Sequence, residues 1–261
     1  MAGPLPDNHR PWRWASASRT GTSHLRRGIR KQDACTTQRL APTGGRDGIL
    51  SIVSDGAGSA SHGGQGASLV CRILSLRVRQ WCLKEAGLPA DDEVTAWIDE
   101  VRDRVGAVAA KNGLQPRDFA ATLVLLLVVE DQILTLQVGD SAMAGRCLGT
   151  WESICWPVSG EYASTTYFVT DDPEPRLTIA RQPLRHDAFA LFSDGIEHLA
   201  LDHLTMSPYS RFFDPMIKPI EDASGLGRLR DLSAALARYL DGPRVCDRTD
   251  DDKTLVLISR T

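Results

Sequence analysis

The sequence predicts an α+β protein in which two antiparallel sheets pack face to face and helices cover their outer faces, a four-layer α-β-β-α sandwich. Two helical patterns are inserted among runs of consecutive strand patterns, which argues against a parallel βαβ repeat. Residues 119–129 are almost continuously apolar, as in a strand that is buried on both faces. The strands that follow are joined by short turns, which is typical of an antiparallel meander.

The chain begins with a segment that lacks the pattern of a folded element. Residues 1–12 contain three prolines and little apolar content, so we expect a flexible tail there. The remaining residues, 13–261, show no repeat of solenoid period and no interior linker. We therefore expect one domain over residues 13–261.

The first clear strand and the two helical patterns follow in order. The apolar run Ile49–Val53 predicts a strand that ends in Ser-Asp-Gly and a glycine-rich loop. Apolar residues within 66–87 recur at helical spacing. Residues 91–113 predict a second helix, because their apolar side chains form one stripe, an aspartate can cap the start and a glycine follows the end.

The period then changes to that of strands. Alternating or continuous apolar runs predict strands at 119–129, 133–138, 141–149, 151–158, 176–182, 187–192 and 253–259, with one more helix at about 228–240. Residues 157–175 and 202–226 lack a clear period, so we expect surface loops or a flap in both regions.

Composition excludes several classes of partner. The net charge of -3 and the pI near 6.1 give no indication of nucleic acid or a membrane surface. No run reaches the roughly 18 apolar residues of a membrane span, and the first residues lack the apolar core of a signal peptide. None of the six cysteines forms a CxxC pair, which favours reduced thiols. We therefore expect a cytoplasmic protein.

Aspartates recur where apolar strands begin or end. A lone Asp-Gly is usually a turn, but Ser-Asp-Gly occurs twice here, each time directly after an apolar run. Strand ends at one edge of a sheet can bring such carboxylates together, and the carboxylates then need cations to offset their repulsion. Oxygen ligands of this kind suit Mg²⁺ or Mn²⁺. The aspartates are Asp33, Asp55, Asp140, Asp194 and the cluster at 250–252.

The order of these motifs carries a family resemblance. The segments "QDA", "VSDGAGSASHGGQGA", "FAATLVLLLVV", "LQVGDSA", "LFSDGIE" and "DDKTLVLI" resemble, in that order, the metal-dependent protein phosphatase 2C family, and most closely its bacterial branch. Each motif alone is weak, but the ordered set covers Trp14 to Ser259. The resemblance implies the two-sheet sandwich described above, with a metal centre at one end and residues 13–261 as the catalytic domain.

The resemblance also assigns metal ligands. Asp55 resembles the aspartate that bridges two ions, and the Gly56 carbonyl resembles a further ligand. Asp194 and Asp251 resemble the remaining ligands of the first ion. Asp251 is preferred to its acidic neighbours because the family pattern is Asp-x-x-Thr and Thr254 sets the register.

Two further aspartates complete the implied centre. Asp33 resembles the residue that orients the metal-bound water, and together with Asp55 it is the implied catalytic pair. Asp140 resembles a ligand of a third, weaker site. The implied chemistry is hydrolysis of phosphoserine or phosphothreonine by a hydroxide that two Mn²⁺ or Mg²⁺ ions share, without a phosphoenzyme. The implied partners are a phosphoprotein substrate and a cognate Ser/Thr kinase.

The chain departs from the family pattern at three positions. Gln32 stands where most members have a glutamate that binds the second ion, so the affinity of that site is open. Ala57 stands where some members have a histidine that protonates the leaving oxygen, and His24 or His62 is a candidate replacement. A lone histidine is more often structural, so both alternatives stay open.

The third departure concerns phosphate binding. Gly28 stands where other members have a phosphate-binding arginine. Arg26, Arg27 or Arg30 could replace it, although a basic turn in solvent is the simpler interpretation. The roles of Glu197 and His198, which follow the second Ser-Asp-Gly, are open.

Two other functions compete with hydrolysis. The glycine-rich loop superficially resembles a dinucleotide-binding loop, but its spacing does not match GxGxxG, and Asp55 would repel a pyrophosphate. A non-catalytic relative that binds phosphoproteins or a regulatory partner is the stronger alternative. Gln32 and the missing arginine motivate it, whereas the intact acidic set argues against it.

Overall fold

The computed structural model describes residues 11–41, 47–160 and 166–260. Its strands are β1 (Trp12–Arg19), β2 (Ala34–Leu40), β3 (Gly48–Ser54), β4 (Leu123–Val129), β5 (Gln132–Val138), β6 (Ala142–Cys147), β7 (Thr150–Cys155), β8 (Thr178–Pro183), β9 (Ala188–Phe192), β10 (Leu201–Asp202), β11 (Ser207–Pro208), β12 (Gly227–Arg228) and β13 (Lys253–Arg260). Its helices are α1 (Thr22–Arg27), α2 (Gly63–Lys84), α3 (Asp91–Lys111), α4 (Glu197–Ala200), α5 (Ser210–Glu221), α6 (Arg230–Leu240) and α7 (Pro243–Cys246).

The strands form two large sheets. The first sheet has the order β12-β1-β13-β9-β6-β7, and the second has the order β2-β3-β4-β5-β8. Neighbouring strands are antiparallel, except that the short β12 runs parallel to β1. The prediction of two antiparallel sheets is confirmed.

Strand β4 shows how the sequence creates the layers. Every residue of Leu123–Val129 is buried. Val124, Leu126 and Val128 point into the layer between the sheets, whereas the alternate residues pack against α2 and α3. Because side chains alternate across a strand, a continuously apolar run is the pattern for a sheet covered on both faces.

Helices cover the outside of both sheets. Apolar side chains of α2 and α3 pack on the second sheet, and those of α5 and α6 pack on the first. The layer between the sheets contains Trp12, Trp14, Ile49, Val53, Leu126, Phe189, Val256 and Ile258, among others. The molecule therefore has the predicted helix–sheet–sheet–helix order. None of the helices in the described ranges has the length and apolar character that crossing a bilayer requires.

The N-terminal boundary differs from the prediction. Residues 1–10 of the predicted tail lie outside the described residues. Trp12, which the prediction assigns to the tail, is the first residue of β1 and has no exposed surface. The alternation of Trp12, Trp14 and smaller residues is a strand signal that the nearby prolines obscure.

The region 202–226 also differs, because it contains helix α5 rather than only loops. Phe213, Ile217 and Ile220 are buried on one face, at the spacing of a helix. Pro215 and Pro219 lie inside the helix and hide that pattern, since proline normally breaks helices. In contrast, the described residues of 157–175 carry no helix or strand.

Candidate active site

The register of the strands brings the acidic motifs to one end of the sandwich. In the second sheet, the start of β2 faces the end of β3, and the start of β4 faces the end of β5. In the first sheet, the start of β13 and the start of β6 face the end of β9. The aspartates next to these strand ends are Asp33, Asp55, Asp140, Asp194 and Asp251.

Four of these aspartates line one cavity of about 500 Å³. The lining residues are Asp55, Gly56, Ala57, Gly58, Ser59, Thr122, Asp140, Ser159, Thr166, Phe168, Asp194 and Asp251. Side chains that adjoin the ends of β3, β9 and β13 therefore converge although the sequence separates them widely. Described residues of the region 157–175 form one wall of this cavity.

Asp33 is buried close to Asp55, does not line the cavity, and is held in one orientation. Ser193 Oγ donates a hydrogen bond of 2.7 Å to Asp33 Oδ2, and Thr254 Oγ1 donates one of 2.6 Å to the same oxygen. The Thr254 backbone N–H donates to Ser193 Oγ at 3.1 Å, which ties the two donors together. Asp33 Oδ1 is buried and has no hydrogen-bond partner among the described residues.

Burial and mutual repulsion make these carboxyl groups weak acids in the absence of cations. Burial raises the pKa of Asp55 well above its usual value, and the charges of Asp33 and Asp194 raise it further. Burial, followed by the charge of Asp251, raises the pKa of Asp194 to about 7. Burial also raises the pKa values of Asp33 and Asp140. Such a cluster is electrostatically unfavourable unless positive charge neutralises it.

The donor set fits hard divalent cations. Asp194 Oδ1, like Asp33 Oδ1, is buried without a hydrogen-bond partner in the described part of the chain. Carboxylate oxygens that point into a polar cavity without protein donors are suited to Mg²⁺ or Mn²⁺, which prefer oxygen ligands.

A second acidic group beside the cavity has a different character. His24, Asp251 and Asp252 each offer a ligand atom, and these atoms lie within 4.8 Å of one another. Asp252, however, already accepts hydrogen bonds from His24 Nδ1 and from the backbone N–H groups of Gly21 and Gln32. Asp252 therefore fastens the chain before β2 to the start of β13.

The two Ser-Asp-Gly motifs share a buried serine hydroxyl and a tightly packed glycine, although only the second one opens a 3-10 helix, Asp194–Ile196. Each serine hydroxyl is buried, with Ser54 Oγ donating to the Thr122 carbonyl at 2.6 Å and Ser193 Oγ donating to Asp33. A Cβ on Gly56 would lie 2.3 Å from a backbone carbon of Gly63, and a Cβ on Gly195 would lie 1.9 Å from the Asp252 carbonyl oxygen. Close backbone approach therefore requires both glycines.

The candidate phosphate-binding residues do not lie in the cavity. Arg27 and Arg30 are exposed on and after α1, and neither lines the carboxylate cavity. His24 is buried against Asp252. His62 contacts Ser61 Oγ through Nδ1 at 2.9 Å, and its ring packs on Phe119. Arg26 forms an exposed ion pair with Asp250.

Several residues that shape the site carry only weak sequence signals. Thr122 Oγ1 accepts a hydrogen bond of 3.0 Å from the Asp55 backbone N–H and lies 2.8 Å from Ser141 Oγ. Its position just before the apolar run of β4 is the available signal. Glu197, whose role the sequence leaves open, forms an ion pair of 2.9 Å with His203.

A family model and a curated relative both indicate the same protein family. Residues 20–241 match the model of the family described as Protein phosphatase 2C. The chain is 37% identical over 249 residues to Serine/threonine-protein phosphatase 3 of Escherichia coli (strain K12), an alignment that covers 94% of this chain and 97% of that protein.

Solved structures share the fold at lower identity. PppA, a key regulatory component of T6SS in Pseudomonas aeruginosa, has a TM-score of 0.65 and 23% identity, with 96% of this chain and 98% of that chain covered. The catalytic domain of the serine/threonine protein phosphatase PstP, in complex with two manganese ions, has a TM-score of 0.58 and 19% identity, with 95% and 98% covered.

Proposed function

Since the chain belongs to the protein phosphatase 2C family, we propose that it is a metal-dependent phosphatase that hydrolyses phosphoserine and phosphothreonine in proteins. The observation that carries the proposal is the convergence of Asp55, Asp140, Asp194 and Asp251 on one cavity, with the buried Asp33 close to Asp55. Hydrolysis of a phosphate ester is accelerated by cations that neutralise the negative charge on the phosphoryl oxygens, and these carboxylates are suited to holding such cations.

We assign the cations to these side chains. Asp55 would bridge two ions, with the Gly56 carbonyl as a further ligand, and Asp194 and Asp251 would complete the first site. Asp140 would serve a weaker third site. The two manganese ions in the PstP structure favour Mn²⁺, and Mg²⁺ has the same oxygen preference.

When bound, such cations lower the pKa of water and neutralise charge on the phosphate. Asp33 has a distinct role in our proposal. Because Ser193 and Thr254 fix Oδ2, the unpartnered Oδ1 is free to accept a hydrogen bond from the attacking water and orient it toward phosphorus. The role of Asp33 in this proposal is thus to orient the attacking water through one of its protons, and not to bind the phosphate.

Gln32 is compatible with a second cation. Its Nε2 donates to the Ala60 carbonyl at 3.3 Å, and its Oε1 is buried without a partner in the described residues. An amide oxygen is a neutral ligand, so we expect the second ion to bind more weakly than it would with a glutamate.

We place this activity in the cytoplasm, where it would reverse the action of a Ser/Thr kinase that phosphorylates the same substrates. All six cysteines are free, which supports a reducing compartment. The comparisons give no support to the non-catalytic alternative.

The test is hydrolysis of para-nitrophenyl phosphate and of a phosphothreonine peptide by the full chain, after chelation and again with Mn²⁺ or Mg²⁺. We expect turnover only with added metal, and at least about a hundredfold loss in Asp194→Ala. Asp222→Asn, which removes an exposed carboxylate paired with Lys218, is the matched control. Turnover without metal, or full turnover in Asp194→Ala, would refute the proposal.

A further inference from the structure

A groove leads away from the carboxylate cavity along the first sheet's helices. Asp194 and Asp251 line both the carboxylate cavity and a neighbouring hollow of about 490 Å³. His198, Asp247 and Arg248 line that hollow and also a third one, of about 690 Å³. The three spaces therefore adjoin one another in sequence along this surface.

The third space, which we call the arginine hollow, is basic. Arg211, Arg244 and Arg248 line it, and Asp247 is the acidic residue among its lining. Its remaining walls include the aromatic rings of Tyr209 and Tyr239. Three guanidinium groups around one carboxylate give this hollow a positive potential, in contrast to the acidic cavity at the other end of the groove.

The backbone holds these arginines in place while their side chains stay exposed. Arg211 lies in the first turn of α5, and Arg244 lies in α7. The Arg248 backbone N–H donates to the Val245 carbonyl at 2.9 Å, and Val245 is fully buried. Among the described residues, no carboxylate lies within ion-pair distance of these three guanidinium groups.

The arginine hollow also supplies positive side chains, which the lining of the carboxylate cavity lacks among the described residues. No arginine is among the described residues that line that cavity. The groove therefore offers its positive side chains beside the reacting phosphate and not around it. A phosphorylated segment lying along the groove would keep its phosphate at the carboxylates and carry neighbouring residues over the arginines.

We propose that the arginine hollow binds acidic side chains next to the phosphorylated residue of the protein substrate, so that it selects phosphorylation sites in acidic sequences. This proposal rests on the phosphatase function proposed above. The occupant follows from charge complementarity, because carboxylates pair with guanidinium groups in bidentate geometry. Arg211 and Arg244 are the specificity residues, since both lie away from the metal ligands.

The experiment compares three phosphothreonine peptides of equal length, one neutral and the others with aspartates either before or after the phosphothreonine. Turnover gives kcat and KM, and fluorescence anisotropy with the Asp194→Ala chain gives binding without turnover. We expect one acidic peptide to have a kcat/KM about five- to tenfold above that of the neutral peptide, through KM. The preference should fall as salt rises to 0.5 M.

The double variant Arg211→Gln/Arg244→Gln should lose this preference in both readouts. Arg79→Gln/Arg104→Gln is the matched control, because it removes the same charge from exposed positions on α2 and α3, against the other sheet. Equal kcat/KM and binding for all peptides, or an unchanged preference in the double variant, would overturn the proposal. If no phosphate ester is hydrolysed at all, the proposed phosphatase function is refuted. If the chain nevertheless binds an acidic peptide more tightly than the neutral one, the proposal that the arginine hollow binds acidic side chains is still supported.

Discussion

Thr254 Oγ1 donates a hydrogen bond of 2.6 Å to Asp33 Oδ2, which links two positions 221 residues apart in the chain. Thr254 lies in β13 of the first sheet, whereas Asp33 precedes β2 of the second. The bond therefore links the first sheet to the segment that leads into the second sheet. It explains in physical terms why a threonine follows the acidic cluster at this spacing.

Loss of this hydroxyl should impair catalysis more than folding. Thr254→Val keeps the shape but leaves Asp33 Oδ2 with the Ser193 bond alone, so we expect an about 10- to 100-fold loss in kcat. Stability should fall by about 1–3 kcal/mol, measured by urea denaturation. Thr254→Ser restores a hydroxyl and should recover most of the activity. Equal activity of the valine and serine variants would contradict this role for the bond.

The raised pKa of Asp194 predicts how the metal-free protein responds to pH. The pKa is about 7 in the folded chain and 3.8 in the reference state, so ionisation of this carboxyl opposes folding. This unfavourable contribution is absent below about pH 4, grows as pH rises, and is complete above about pH 7. Metal-free Asp194→Asn should therefore be about 1–4 kcal/mol more stable than wild type at pH 8.

Urea denaturation at pH 4, 5 and 8, in chelator, checks this expectation. The advantage of Asp194→Asn should shrink at pH 5 and disappear at pH 4. Added Mn²⁺ should stabilise the wild type and reduce or reverse the difference at pH 8, because the variant lacks one of the proposed metal ligands. A metal-free variant less stable than wild type at pH 8 would show that repulsion does not govern this cluster.

Asp252 should be a stability residue, unlike its exposed neighbour Asp250. Asp252→Ala leaves two backbone N–H groups and His24 without their acceptor, so we expect a loss of about 2–4 kcal/mol in the free energy of unfolding. Asp250→Ala removes only an exposed pair with Arg26 and should cost less than about 1 kcal/mol. Comparable losses in the free energy of unfolding in the two variants would show that Asp252 is no more important for stability than Asp250.

The glycine-rich loop offers a matched pair of substitutions. A Cβ on Gly56 would overlap the backbone of Gly63, whereas a Cβ on Gly58 would have no atom within 4 Å. Gly56→Ala should therefore lower stability by about 2–4 kcal/mol and reduce activity, because Asp55 is displaced with its neighbour. Gly58→Ala should stay within about 0.5 kcal/mol of wild type in thermal melts. Identical melting temperatures would refute the close-packing explanation.

Sequence patterns predict most of the layers and bring the acidic residues to one end, because strand periodicity and strand ends are local signals. They miss β1, β2 and α5, and prolines next to β1 and inside α5 conceal the period of those two elements. The phosphate-binding role predicted for Arg27 and Arg30 stays a prediction, since both side chains are exposed and neither lines the carboxylate cavity. The hydrogen bond between Ser193 and Asp33 joins residues that are far apart in the sequence and depends on how the two sheets pack. A pattern within one short segment therefore cannot predict it.

The layer between the sheets, with Trp12, Leu126 and Phe189 at its core, has one more consequence. Asp33 and Asp55 adjoin strands of the second sheet, Asp194 and Asp251 adjoin strands of the first, and Asp140 lies in the connection between the two. The thickness of this apolar layer therefore contributes to the separation between the two groups of carboxylates. The hydrophobic interior thus acts as a spacer for the proposed metal centre. A smaller side chain in place of one of these buried rings would change the distance between the carboxylates of the proposed metal centre without touching any of them.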